Sequence, residues 1–214
     1  MSTIRGRISA VTQRIESVSS RPIDLVVVTK THSPEVVRDV AAAGARIIGE
    51  NYAQEVREKA AVIDDIRSSG VEVQFVGQLQ TNKVRLLVGL VDCIASVDRP
   101  SLIDEIAKRM PDVRIHLQVN ATGEAHKGGC LPEDVPQLIN YSRDRGVSVE
   151  GLMAVGPTSG DVNATREAFR QVHEIASDHG LAVRNYGMSG DLQIAVEEGS
   201  TMVRIGRAIL GSRN

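Results

Sequence analysis

Three features of the sequence could do chemistry together. Lys30 closes the run Val26-Val27-Val28-Thr29. It reads either as a surface lysine ending a buried strand, or as an amine in a partly desolvated pocket. In the second case burial disfavours the ammonium and leaves a neutral amine able to attack a carbonyl carbon, as a Schiff-base lysine must. The turns Gly187-Met188-Ser189-Gly190 and Gly206-Arg207 offer flexible backbone, N–H groups and a hydroxyl, which suits an anion and equally suits a plain turn. Arg204 ends the apolar segment Thr201-Met202-Val203. A buried arginine needs a partner, so it faces either a structural carboxylate or a ligand. A nucleophilic amine, an anion cradle and a strand-end cation describe a site for an anionic aldehyde.

These residues need elements that bring them together. Apolar, β-branched runs alternate with helical patterns along the whole chain: strands are expected at 24–29, 46–48, 71–76, 91–96, 113–120, 147–153, 181–186 and 201–205. Helices are expected at 35–43, 52–66, 83–88, 100–109, 132–145, 163–178 and 192–198, with Gly44 and Gly180 as C-terminal caps. About eight strand–helix units, preceded by a helical pattern over 1–20, are the count of a (β/α)8 TIM barrel with an extra N-terminal helix; an open doubly wound sheet is the alternative. Lys30, Asn51, Ser189, Arg204, Gly206 and Arg207 all fall at or just beyond strand C-terminal ends, where barrel enzymes keep their chemistry. Residues 1–214 read as a single domain without a second one.

Composition narrows the function classes. Hydrophobic residues make up 42% and charged residues 24% of the 214, which reads as soluble and globular. A net charge of −2, 2% aromatics and no Trp argue against nucleic acid and membrane surfaces as partners. No segment reads as a signal peptide or membrane span, and two cysteines favour a reducing compartment, so the cytoplasm is expected. Cys93 reads as a buried small hydrophobe, whereas Cys130, after a Gly pair, reads as an exposed loop residue. The five histidines show no ligand spacing, and no metal is expected.

Several motifs in order make the chain resemble the pyridoxal-phosphate homeostasis protein family, single-barrel relatives of the alanine racemase N-terminal domain. They are Val28-Thr29-Lys30-Thr31, Gly49-Glu50-Asn51-Tyr52, Leu79-Gln80-Thr81-Asn82-Lys83, Ser96-Val97-Asp98, Lys127-x-Gly129, Gly151-Leu152-Met153, Gly187-Met188-Ser189 and Thr201 to Gly206. The resemblance implies the barrel of fold type III among pyridoxal-phosphate proteins. It also implies pyridoxal 5′-phosphate as cofactor, held as an internal aldimine on Lys30. Ser189 and the backbone around Gly206 and Arg207 would take the phosphate, Arg204 would lie near the pyridine nitrogen, and Asn51 would lie near the cofactor. Lys83 and Lys127 match lysines with a secondary relation to the cofactor, or are solvated lysines. Two positions depart from the pattern: Gln74 stands where a His is usual, and Gly190 where an Asp is usual.

Racemisation needs an acid and a base on opposite faces of a carbon. In the racemases a tyrosine of a second domain serves one face. Of Tyr52, Tyr141 and Tyr186, only Tyr52 falls near the mouth, and it reads as a packing residue. The expectation is therefore a non-catalytic carrier serving vitamin B6 and amino-acid homeostasis, with apo-enzymes as recipients and a monomeric state. A weak pyridoxal-phosphate-dependent racemase is the alternative, and a sugar-phosphate enzyme using a lysine Schiff base is a third reading.

Overall fold

The computed structural model describes residues 3–211; residues 1–2 and 212–214 of the expected 1–214 domain lie outside the described residues. Eight parallel strands form a closed barrel in sequence order. They are β1 (Asp24–Val28), β2 (Ile47–Glu50), β3 (Glu72–Phe75), β4 (Cys93–Val97), β5 (Arg114–Val119), β6 (Val149–Ala154), β7 (Val183–Asn185) and β8 (Met202–Ile205). Closure is made by β8 against β1, where Val26 pairs with Arg204 and Val27 with Ile205, so the open-sheet alternative is excluded. This pairing puts Arg204 on the strand beside β1, which leads into Lys30 two residues beyond its end.

The helices are α1 (Ile4–Val18), α2 (Pro34–Ala42), α3 (Ala53–Glu58), α4 (Ala60–Ser68), α5 (Pro100–Arg109), α6 (Val135–Asp144), α7 (Val162–Asp178), α8 (Leu192–Glu197) and α9 (Arg207–Leu210). Proline starts α2 and α5 at a position where no N–H is needed. The Asp161 carboxylate caps α7 by accepting from Ala164 N. Gly44 and Gly180, the expected caps, have φ of 100° and 64°.

Alternation divides the strand residues into two environments. Val27, Ile48, Phe75, Ile94, Ile115 and Leu117 join the large core between barrel and helices. Val26, Ile47 and Met202, with Val183, form a small apolar plug inside the barrel. The helix α9 has four residues. The extra helix α1 packs on α2, α8 and α9, with Val11 and Ile15 buried and Arg5 Nη2 donating to Ala42 O at 2.7 Å.

Three local expectations are corrected. The single helix expected over 52–66 is two helices broken at Lys59, which sits at φ −89°, ψ 5° with its side chain buried. The segment expected as a helix at 83–88 is a 3-10 helix, Thr81–Leu86. Cys130 is buried rather than exposed, because its backbone pairs with β5: its N–H donates to Gln118 O at 2.9 Å and its carbonyl accepts from Asn120 N at 2.8 Å.

Candidate functional site

Lys30 is half-buried, two residues beyond the end of β1, and continues the inward series Val26 and Val28. The chain turns sharply there. His32 N donates to Thr29 O at 3.1 Å, and Thr31 has a φ of 64°, the one non-glycine residue in the left-handed region among those described. A closed four-residue turn with positive φ at its third position is the signature of type II, which normally places Gly or Asn there. A β-branched threonine in that conformation is strained, and strain of this kind persists only where surrounding contacts enforce it.

Those contacts lie directly behind the turn. Glu50, the last residue of β2, is 1% exposed, and Lys59 is 4% exposed. Lys59 Nζ donates to Glu50 Oε1 at 2.8 Å, to Glu55 Oε2 at 3.2 Å and to Thr29 O at 3.2 Å. Thr29 Oγ1 donates to Glu50 Oε1 at 2.7 Å, and Thr31 N donates to Glu55 Oε2 at 2.8 Å. Burial pushes the Glu50 carboxyl above its ordinary range, against the pull of the Lys59 charge and its hydrogen bonds.

Arg204 is the polar centre of the barrel interior. It is 6% exposed and makes no ion pair among the described residues. Its guanidinium donates instead to Ala154 O at 2.8 Å, to Asn185 O at 2.6 Å and to Asn185 Oδ1. Burial lowers its pKa to about 10, with the Asp191 charge working the other way.

The chain of partners continues inward and fixes a tautomer. Arg204 can only donate, so Asn185 must turn its oxygen toward it and its NH2 toward His116 Nδ1, 3.2 Å away. Nδ1 therefore accepts, Nε2 carries the proton, and that N–H points at Cys93 Sγ, 3.6 Å away. His116 is 1% exposed, and burial, then the Arg114 and Arg204 charges, lower its pKa to about 3. The imidazole is thus neutral, and it holds Asn185 in the orientation that serves Arg204.

The remaining expected residues surround the same mouth. Asn51 follows β2, and its Oδ1 is buried without a hydrogen-bond partner. Gly77, after β3, lies so close to it that a Cβ would overlap Asn51 O. Ser189 is half-buried in the loop between β7 and α8, where Asp191 Oδ1 accepts from Met188 N at 2.5 Å. Gly206 follows β8 against the Lys30 strand, since a Cβ on it would lie 3.2 Å from Val28 O. Arg207 begins α9 and is exposed. The structure thus collects all six expected positions at the C-terminal end of the barrel.

Other expectations are refined. Lys127 is not solvated: its Nζ donates to Gly156 O at 2.6 Å and pairs with Glu124, whose pKa falls to about 2 chiefly through that bond. It straps the loop after β5 to the loop after β6. Lys83 is half-buried in the 3-10 helix after β3. Gln74 is buried inside the barrel and donates to Glu72 Oε1 at 2.8 Å, while its own Oε1 has no partner. Tyr52 is 46% exposed at the rim rather than packed. Sequence reasoning missed His116, Asn185 and Lys59. The available signal was a polar residue inside each expected apolar or amphipathic run.

The residues at the mouth fit an anionic aldehyde. A buried cation with no ion pair among the described residues favours an acceptor beside it, and Asn51 Oδ1, orphaned among them, favours a donor. Gly206 leaves backbone open where a side chain would crowd Val28.

Residues 5–214 match the family described as alanine racemase, N-terminal domain. The pyridoxal phosphate homeostasis protein of Aquifex aeolicus is 37% identical, covering 97% of this chain and 97% of that one. Its counterpart in Pseudomonas aeruginosa is 35% identical over 100% of this chain and 97% of its own. Among solved structures, PipY of Synechococcus elongatus PCC7942 with pyridoxal phosphate bound superposes with a TM-score of 0.82 at 28% identity, covering 98% of this chain and 100% of that one.

Proposed function

Because the chain belongs to the pyridoxal phosphate homeostasis protein family, we propose that it binds pyridoxal 5′-phosphate covalently through Lys30 and serves as a carrier in cofactor and amino-acid homeostasis. The observation that carries this reading is Arg204, a buried guanidinium with only carbonyl partners among the described residues, on the strand paired to β1, which leads into Lys30. When bound, the cofactor supplies an aldehyde for attachment to an amine, a phosphate anion and an electron-withdrawing ring.

Each residue has a task on this reading. Lys30 provides the attacking amine. Arg204 presents N–H groups to the ring nitrogen and, as a fixed cation, keeps a proton off it, so the ring is a weak electron sink. Ser189 and the backbone around Gly206 and Arg207 receive the phosphate, and Asn51 orients the ring face. His116 and Asn185 hold Arg204 in place.

A carrier rather than a racemase is favoured by the position of Tyr52, whose 46% exposure leaves it outside any water-excluded space opposite Lys30. The open mouth suits release to apo-enzymes, which we take as recipients of a monomeric, cytoplasmic protein. Among the described residues no helix is long and apolar enough to cross a membrane. Adding pyridoxal phosphate to the protein should produce a visible absorption band that Lys30→Ala abolishes. Incubation with L- or D-alanine in deuterated water should leave the α-hydrogen in place. No band, or rapid exchange lost in Lys30→Ala, would refute the binding and carrier readings respectively.

A further inference from the structure

We propose that Lys59, Glu50 and Glu55 are positioning residues that clamp the backbone on both sides of Lys30 and so aim its amine into the mouth. The proposal rests on the reading of Lys30 as the attachment lysine. Lys30 belongs to two peptide groups, and the cluster grips both. The peptide before it is held at Thr29 O by Lys59 Nζ, 3.2 Å away. The peptide after it is held at Thr31 N by Glu55 Oε2, 2.8 Å away. The third and second bonds of Lys59 run to Glu50 and Glu55, so all three ammonium hydrogens are used within this one cluster.

A buried ion pair is weak evidence for stability, because desolvation offsets its attraction. What this one does achieve is orientation. Thr31 adopts a φ of 64°, which a threonine resists, and Glu55 bonds the amide of that residue. Glu55 does so from an exposure of 23%, at the edge of the cluster rather than in the core. Lys59 stands at the break in the helical segment, where α3 ends and α4 begins. The break, the ion pair and the strained turn form one device around a single lysine.

Lys59→Met would leave Glu50 uncompensated in the core and endanger the fold, so partly exposed Glu55 is the better target. We would compare Glu55→Ala and Glu55→Gln with the wild type in three measurements. These are amide hydrogen exchange at Thr31 without cofactor, the rate at which the visible band grows with pyridoxal phosphate, and the urea midpoint. Glu55→Ala should exchange Thr31 and attach cofactor with rates changed roughly tenfold, faster and slower respectively, at a nearly unchanged urea midpoint. Glu55→Gln, which keeps an acceptor for Thr31 N, should behave like the wild type. A normal wild-type band with both rates unaffected in Glu55→Ala overturns the proposal alone. A wild type that forms no band sinks the cofactor reading and takes the proposal with it.

Discussion

His116 should make the protein acid-sensitive by an amount the structure specifies. Its imidazole is 1% exposed among Cys93 of β4, Asn185 of β7 and the nearby charges of Arg114 and Arg204. Protonating Nδ1 would set its N–H against the Asn185 NH2, which cannot turn away without abandoning Arg204. Burial first, and the arginines second, lower the pKa from 6.5 to about 3. A depressed folded-state value means that stability is full above the unfolded pKa and is lost as pH falls toward the folded one. Between about pH 7 and about pH 4.5 the loss is about 2–3 kcal/mol, taken at 1.36 kcal/mol per unit. Other groups titrate in that window, so the comparison is with His116→Gln, which cannot protonate there. Urea unfolding at both pH values should show the stability gap between wild type and variant narrowing by about 2–3 kcal/mol on acidification. A gap that stays constant would refute a neutral, buried His116 and with it the tautomer that orients Asn185.

Three further outcomes follow from packing and from the anion site. Gly77→Ala places a Cβ into the Asn51 backbone, which no side-chain movement relieves, and should lower stability by about 1–3 kcal/mol in urea unfolding. Gly190→Ala meets nothing within 4 Å and should stay within about 0.5 kcal/mol of the wild type. Ser189→Ala removes a hydroxyl from the proposed phosphate site and should weaken retention of pyridoxal phosphate roughly tenfold, measured by dialysis, while leaving the binding of phosphate-free pyridoxal unchanged.

Much of this arrangement is legible in the sequence because a barrel repeats one pattern. Each β-branched run marks a strand, and the polar residues at or just beyond its C-terminal end mark the mouth, which is how Lys30, Asn51, Ser189 and Arg204 come to share one end. The helix break at Lys59 is not legible in the same way. The amphipathic period runs through it, and the partners that hold the lysine inward, Glu50, Glu55 and Thr29 O, are brought to it by the fold. Cys130 misleads for a related reason: the Gly pair before it resembles a surface loop, whereas the loop folds back onto β5. His116 sits in an apolar strand, where its partners on β4 and β7 become visible only once the barrel closes. Gln74 is legible as a departure, but its buried bond to Glu72 depends on the inward face of β3.

Covalent mapping tests the central claim most directly. Pyridoxal phosphate is added to the protein, the adduct is reduced with borohydride, and the digest is analysed by mass. The reduced cofactor should appear on the peptide containing Lys30, at one group per chain. A label on Lys83, Lys127 or any other lysine in place of Lys30, or no label at all, would contradict it.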